Sequence, residues 1–349
     1  MILAEALLDW YDRHARSLPW RVSPDDRRQG IVADPYAVWL SEIMLQQTTV
    51  QAVKPYFEKF LSLWPTVAHM AAADEEDILR AWAGLGYYSR ARNLHKCARM
   101  IAAECDGRFP ETASELKSLP GIGDYTSAAI ASIAFDEAVP VVDGNVERVI
   151  TRLQRIATPL PKAKQEVKAF TADILSVARP GDYAQATMDL GATVCTPKRP
   201  ACGVCPWMEP CQARHHGDQL LYPVKAPKKE KPTRYGHVFV ILNDRNEVLL
   251  RKRPDKGLLA SMMEVPGTEW REGELLPVAY ADAPAGTSFR ELPVPVRHTF
   301  THFHLVLTVH VAEPVSPGNS VPEGRWIARA AVVDEALPNV FRKVLAAAL

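Results

Sequence analysis

Four cysteines, Cys195, Cys202, Cys205 and Cys211, stand within seventeen residues at the spacing C-x6-C-x2-C-x5-C. Thiolates this close along a chain can close around one metal centre with no ligand from elsewhere, which forces the intervening backbone into a compact loop. With no export signal preceding them, a metal or cluster is the better reading than two disulfides. Four-cysteine zinc sites usually pair two C-x2-C knuckles, and here only Cys202 and Cys205 form one. The wider flanking gaps suit a larger cubane, so iron–sulfur ligation is preferred and structural zinc stands as the alternative. Pro197, Pro200 and Pro206 set turns around the ligands, while Lys198 and Arg199 add positive charge suited to a polyanion.

A length of 349 residues favours two domains, and 47% apolar residues supply ample core. Residues 1–20 mix Glu5, Asp9, Asp12 and Arg13 with apolar side chains, the pattern of an amphipathic helix and not of a signal peptide. No apolar run reaches membrane-spanning length. The expectation is a soluble, cytoplasmic monomer without membrane contact, in which Cys97 and Cys105 are reduced thiols. Lys+Arg and Asp+Glu both number 41. Bulk charge therefore does not announce nucleic acid, and any such binding must come from local sites.

Residues 1–221 read as helical, with apolar residues at three- and four-residue spacing. Asp34-Pro35 opens a run Tyr36–Val53 as cap and first-turn proline. Further helices are expected at 75–83, 90–104, 125–134, 146–153, 164–178 and 184–193. The Pro- and Lys-rich stretch 222–233 reads as an extended linker. Beyond it, residues 234–349 change texture. Strands are expected at 237–242, 248–253 and along the alternating stretch 296–312, with a helix at 339–349, so this is a separate α+β domain.

Three places could carry chemistry. Leu119-Pro120-Gly121-Ile122-Gly123 makes a tight hairpin ahead of a helix, and its glycines with the helix N-terminus could hold a DNA phosphate without a cationic side chain. An ordinary αα-hairpin reads the same way, and Asp124 beside it is an anion. Asp143 precedes Gly144 and Asn145 before a helix, and on its own reads as an N-cap. Glu42 sits in mid-helix among Val38, Trp39, Ile43, Met44 and Leu45. If buried it would resist ionising and suit proton donation; if it shares a polar stripe with Gln46 it is solvated, and periodicity does not decide.

Together the motifs have a known order: LPW (Leu18–Trp20), WLSEIMLQQT (Trp39–Thr48), GLGYYSRARNLH (Gly84–His95), LPGIG (Leu119–Gly123), VDGNVERV (Val142–Val149), MDLGATVC (Met188–Cys195), the cysteine quartet and RHTFTHFHL (Arg297–Leu305). Over nearly its whole length the chain resembles the endonuclease III-like helix-hairpin-helix DNA glycosylases, and within them the MutY-type adenine DNA glycosylases. The resemblance implies a mainly α glycosylase domain with a [4Fe–4S] cluster loop, followed by an α+β Nudix-like domain. It assigns the cluster to Cys195, Cys202, Cys205 and Cys211, as scaffold and not reaction centre. It implies excision of a flipped-out adenine mispaired with 8-oxoguanine or G in double-stranded DNA.

In that family the residues matching Glu42 and Asp143 are catalytic. An acid protonates the departing adenine, and a carboxylate stabilises the oxocarbenium-like sugar, as in retaining glycoside hydrolysis. Tyr125 stands where bifunctional relatives place the lysine that forms a Schiff base, which implies a monofunctional enzyme. Tyr125 and Asn145 are expected to hydrogen-bond around the centre. Gln47 and Tyr87 match residues that wedge into the duplex. Trp20, Arg21, Leu45 and Gln185 match the adenine pocket, although the twelve residues after Arg21 make a loop longer than the family's usual one. In the second domain Phe300, Thr301 and His302 match a Phe-Ser-His loop at 8-oxoguanine, with threonine keeping the hydroxyl. No glutamate-rich REUxEE helix follows Gly257, so this domain should bind and not hydrolyse. His298, His302 and His304 could otherwise be one strand face or, third, a zinc set. Two other functions stand as alternatives: an endonuclease III-like pyrimidine-lesion glycosylase and AP lyase, and a noncatalytic iron–sulfur DNA-binding protein.

Overall fold

A computed structural model describes residues 2–227, 230–273, 288–312 and 323–349. The chain folds as two compact units, Met1–Ala73 with Asn93–Pro227, and Asp74–Arg92 with Lys228–Leu349.

The first unit is helical, and its helices begin where the sequence supplies caps. The Asp34 carboxyl accepts the Tyr36 N–H at 2.9 Å, and Pro35 occupies the first turn of the helix Pro35–Leu45. That helix does not continue to Val53 as expected. Gln47 turns left-handed at φ 55°, and Thr49 caps a new helix, Val50–Leu63, by accepting the Ala52 N–H. An apolar pattern reads straight across such a break; the Thr49 cap was the visible signal.

Ile2–His14 forms the expected amphipathic helix, and Ser89–Glu104, Asp124–Phe135 and Gly144–Leu153 lie within two residues of their expected bounds. Lys164–Ile174 stops early because Leu175 is extended, at ψ 153°. The helix expected at 184–193 runs instead from Pro180 to Asp189. Its continuation, Leu190–Val194, widens into a π turn that ends where the Cys195 N–H reaches Leu190 O at 2.7 Å. Asp124–Phe135 is the central helix, packed on both Pro35–Leu45 and Pro180–Asp189. Its Ala128, Ala129 and Ala131 are buried, and such small side chains let helix axes approach closely. Tyr222, at the start of the expected linker, is buried. The Leu160 N–H donates to Val224 O at 2.9 Å. Linker residues 228 and 229 lie outside the described residues.

The second unit contains the helix Glu75–Trp82 and two sheets. In the larger, Thr233–Val240 lies parallel to His304–Ala312, in register from Thr233 against His304 to Val240 against Val311. Arg271–Glu272 pairs with the outer edge of Thr233–Val240. Phe289–Glu291 and Val296–Thr299 both pair antiparallel with His304–Ala312. The smaller sheet has the order Met263–Glu264, Glu247–Lys252, Arg325–Ala328. Val238, Val240, Leu250, Leu305, Leu307 and Val309 form one core with Phe341 and Val344 of the terminal helix Asn339–Ala348. The alternating stretch 296–312 is two strands and not one. The chain reverses at Phe300, whose N–H donates to Phe303 O at 2.9 Å, and a two-residue period has no means of marking a hairpin within it.

Candidate active site

Helix Pro35–Leu45 is buried on most of its surface, so Glu42 is only 7% exposed. The polar-stripe reading of Glu42 therefore fails. Burial pushes its carboxyl up to about 7, against the opposing hydrogen bond from Tyr125 and with the Asp143 charge adding to the rise. That hydrogen bond comes from the central helix, where Tyr125 Oη donates to Glu42 Oε2 at 2.7 Å. The Tyr125 hydroxyl is itself raised well above its ordinary value, first by burial and then by the two carboxyls.

Asp143 caps the helix Gly144–Leu153, accepting N–H groups from Asn145 at 2.8 Å and Val146 at 2.7 Å, and the Asn145 amide Nδ2 at 2.8 Å. The cap reading is correct, and it does not displace the functional one. Three donors fix the carboxyl while the residue still lines an open cleft of about 790 Å3. Glu42, Tyr125, Asp143, Asn145, Trp20, Arg21, Leu45, Gln185, Gln47, Gly121 and Gly123 all line this cleft, drawn together from across the sequence.

Each wall residue has a definite support. Trp20 meets the Phe57 ring edge-on at 5.3 Å. Gln185, 3% exposed, donates to Gly181 O at 3.4 Å. Arg21 Nη1 donates to both oxygens of Asp189, at 2.9 and 2.8 Å. The long loop after Arg21 folds into a short helix, Pro24–Arg28. Arg27 anchors it to Asp136 at 2.9 Å and to Asp182 at 3.5 Å.

At the hairpin, Gly121 has φ +78° and a Cβ there would fall 2.6 Å from Asn93 Cβ. Gly123 opens onto empty space. The Lys117 ammonium pairs with Asp124, so the anion beside the hairpin is matched locally.

Tyr87, Phe300, Thr301 and His302 belong to the second unit and do not line this cleft. Tyr87 is left-handed at φ 47°, and its hydroxyl lies 2.8 Å from Thr301 Oγ1. Phe300 stacks on Phe303 at 4.8 Å and meets His298 edge-on, leaving Thr301 and His302 exposed at the tip. His298 lies on the strand Val296–Thr299, His302 in the hairpin, and His304 opens the next strand, with Nδ1 3.0 Å from Thr299 Oγ1.

The four cysteines line a single cavity with Arg152, Trp207 and Arg214. Burial pushes the Cys205 thiol up to about 12, and the Cys211 thiol is also raised. Arg152, 2% exposed, donates to Thr196 O at 2.8 Å, and its Nη1 stands 3.3 Å from Cys195 Sγ. Among the described residues no group of three or more His, Cys, Asp or Glu side chains is disposed to hold a metal ion. No described helix is long and apolar enough to cross a membrane.

Sequence reasoning missed three supporting residues: Asp189, Arg16 and Arg148. Arg148 Nη2 donates to Asn145 Oδ1 at 2.9 Å while its Nε donates to Cys195 O at 2.8 Å, tying the cleft to the cysteine loop. Asp189 carried a signal, a carboxylate between Met188 and Leu190 on a helix buried at every position.

Compared with known proteins, residues 40–174 match the family model described as HhH-GPD superfamily base excision DNA repair protein, and residues 237–347 match a NUDIX domain. An adenine DNA glycosylase from Homo sapiens is 36% identical over 97% of this chain and 73% of its own length. One from Buchnera aphidicola subsp. Schizaphis graminum is 31% identical over 99% of this chain and 98% of its own. Among solved structures, a thermostable thymine-DNA glycosylase superposes with a TM-score of 0.55 at 25% identity, covering 62% of this chain and 96% of its own. The helical unit with its helix-hairpin-helix and the α+β Nudix-like unit accord with the expected fold class. Similarity that spans most of both chains at this identity shows that the chain belongs to the adenine DNA glycosylase family.

Proposed function

We propose that this protein excises adenine mispaired with 8-oxoguanine or G in double-stranded DNA, by hydrolysing the N-glycosidic bond as the first step of base excision repair. The observation that carries the reading is the pair of carboxyls in one cleft, Glu42 held up to about 7 by burial and Asp143 fixed by three donors. Adenine leaves poorly as an anion. A protonated Glu42 gives its proton to the base as the C1′–N9 bond breaks, and the bonding electron pair departs with the neutral adenine. The positive charge left on the sugar faces Asp143, which stabilises it. Water then adds to C1′ and returns a proton to Glu42, so the acid is regenerated. The Tyr125 hydroxyl keeps Glu42 oriented without itself ionising.

Flipping the adenine into the cleft leaves a gap in the duplex, and Gln47, exposed and left-handed, is suited to fill it. Gly121 and Gly123 would let the hairpin seat a phosphate. In the second unit, which residues 234–349 supply in the main, the exposed Thr301 and His302 would read the oxidised base, with Tyr87 beside them. Cys195, Cys202, Cys205 and Cys211 would hold a [4Fe–4S] cluster. Four-cysteine zinc sites usually pair two C-x2-C knuckles; only Cys202 and Cys205 form one here, and one cavity lined by all four thiols suits a wider cluster. Its contribution is structural: it would hold the loop whose backbone receives Arg148 and Arg152.

The lyase alternative needs an amine at the reacting carbon. The one lysine lining the cleft among the described residues, Lys164, is mostly exposed and lies 3.4 Å from Glu147. Single-turnover assays on duplexes bearing A opposite 8-oxoguanine, A opposite G, and thymine glycol discriminate the readings. Adenine release from the first two is expected, with no efficient borohydride-trapped adduct. Thymine glycol release with an abundant trapped adduct would overturn the assignment.

A further inference from the structure

Behind the cleft wall, next to the lining residue Met188, lies Asp189, with its side chain 0% exposed. A buried carboxylate is costly unless it is fully hydrogen-bonded, and this one is. It accepts the Arg16 backbone N–H at 2.9 Å, Arg16 Nε at 2.6 Å, and Arg21 Nη1 at 2.9 and 2.8 Å. Arg21 is nearly as buried, with its side chain 8% exposed. It gives a single nitrogen to Asp189, and among the described residues its Nε and Nη2 make no other hydrogen bond. Arg21 also lines the cleft beside Glu42, whose ionisation its positive charge favours.

We propose that Asp189 is a positioning residue that acts through Arg21, fixing the guanidinium in the cleft wall and offsetting its charge beside Glu42. Two donors of Arg21 are thereby left for the acceptor nitrogens of a flipped base. With Asp189 ionised the trio of Asp189, Arg16 and Arg21 carries one net positive charge; with asparagine in its place it carries two. The extra charge would draw the proton from Glu42. The other groups around Glu42 are the Tyr125 hydroxyl and Asp143, and further along the cleft Asp124, Glu147 and Lys164. Among the described residues Asp189 takes its side-chain hydrogen bonds from Arg16 and Arg21 and from none of these groups, and of its two partners Arg21 is the one whose charge acts on Glu42. The inference rests on the reading of Glu42 as the acid.

The test is single-turnover adenine release against pH for the full chain and for Asp189→Asn, Arg21→Gln and the double variant. Asp189→Asn should move the falling limb of the profile to lower pH by about one unit and slow release at pH 7.5 about tenfold. Arg21→Gln should move the limb to higher pH, because the positive charge is gone. In the Arg21→Gln background, Asp189→Asn should shift the limb by less than in the native chain, because no guanidinium is then left for it to position. A merely structural Asp189 would instead lower the amplitude equally at every pH, in both backgrounds, and that result overturns the proposal. Should Asp189→Asn fail to fold, the direction of the Arg21→Gln shift decides, and an unmoved or lowered limb overturns it. Full activity in Glu42→Gln would sink the acid assignment itself, whereas an inactive Glu42→Gln beside an unshifted Asp189→Asn would sink only this inference.

Discussion

At the scale of single residues, two carboxyls of one cleft meet different surroundings. Glu42 lies inside a helix with no solvated face, and Asp143 sits at a helix start where free N–H groups await an acceptor. This has a consequence for folding. Between about pH 4.5, its ordinary value, and about 7, folded Glu42 holds a proton that the unfolded chain has lost. The group therefore makes folding less favourable as pH rises through that window. Glutamine never ionises, so Glu42→Gln should stabilise the protein by about 1–3 kcal/mol more at pH 8 than at pH 5. Paired thermal or denaturant melts read this directly, and an equal effect at both pH values would contradict the burial of an acid. Much of this scale was legible in sequence. Asp143 was readable as a cap and Glu42 as a carboxyl among apolar neighbours, but whether Glu42 faced solvent depended on which helices cover it. Asp189 was illegible as a partner of Arg21, because 168 residues separate the two ends of that ion pair.

At the scale of elements, the two glycines of the hairpin meet different surroundings. Gly121 needs its freedom for the fold, since φ is +78° and a Cβ would collide with Asn93. Gly123 has an ordinary φ of −100° and open space where a Cβ would go. Gly121→Ala should thus cost about 1–3 kcal/mol of unfolding free energy. Gly123→Ala should leave stability nearly unchanged and weaken DNA binding, because the methyl stands where a phosphate would approach. Denaturant titration beside a DNA-binding isotherm separates the two, and a stable Gly121→Ala with a destabilised Gly123→Ala would reverse the argument. The element start at Asp34-Pro35 was legible, whereas the one at Thr49 was read as part of a continuous run. Breaks inside periodic runs were harder to see. The left-handed Gln47 and the hairpin at Phe300 both lie where the pattern continues on either side of a turn. The π turn ahead of Cys195 had no sequence mark either, yet it delivers the first cysteine to its cavity.

At the scale of the whole molecule, zero net charge is compatible with DNA as a partner if, as proposed, recognition is left to local features: a glycine hairpin, a cleft, and a hydroxyl-bearing loop. The two fold classes were legible from the change in texture near residue 222. The grouping of Asp74–Arg92 with the C-terminal residues was not, since it depends on segments far apart in sequence packing together. The cysteine quartet marks the superfamily by its spacing, and the carboxyls proposed to break the bond line a different cavity. Adenine release by the full chain is proposed to run through a protonated Glu42. The most direct measurement is the single-turnover rate of adenine release from an A:8-oxoguanine duplex as a function of pH, for the native chain and Glu42→Gln. The native rate should fall as pH rises through about 7, and Glu42→Gln should be slower by at least about a hundredfold below pH 7, the gap closing as the native rate falls. A native rate that stays level to pH 9, or a Glu42→Gln variant as fast as the native chain below pH 7, would contradict it.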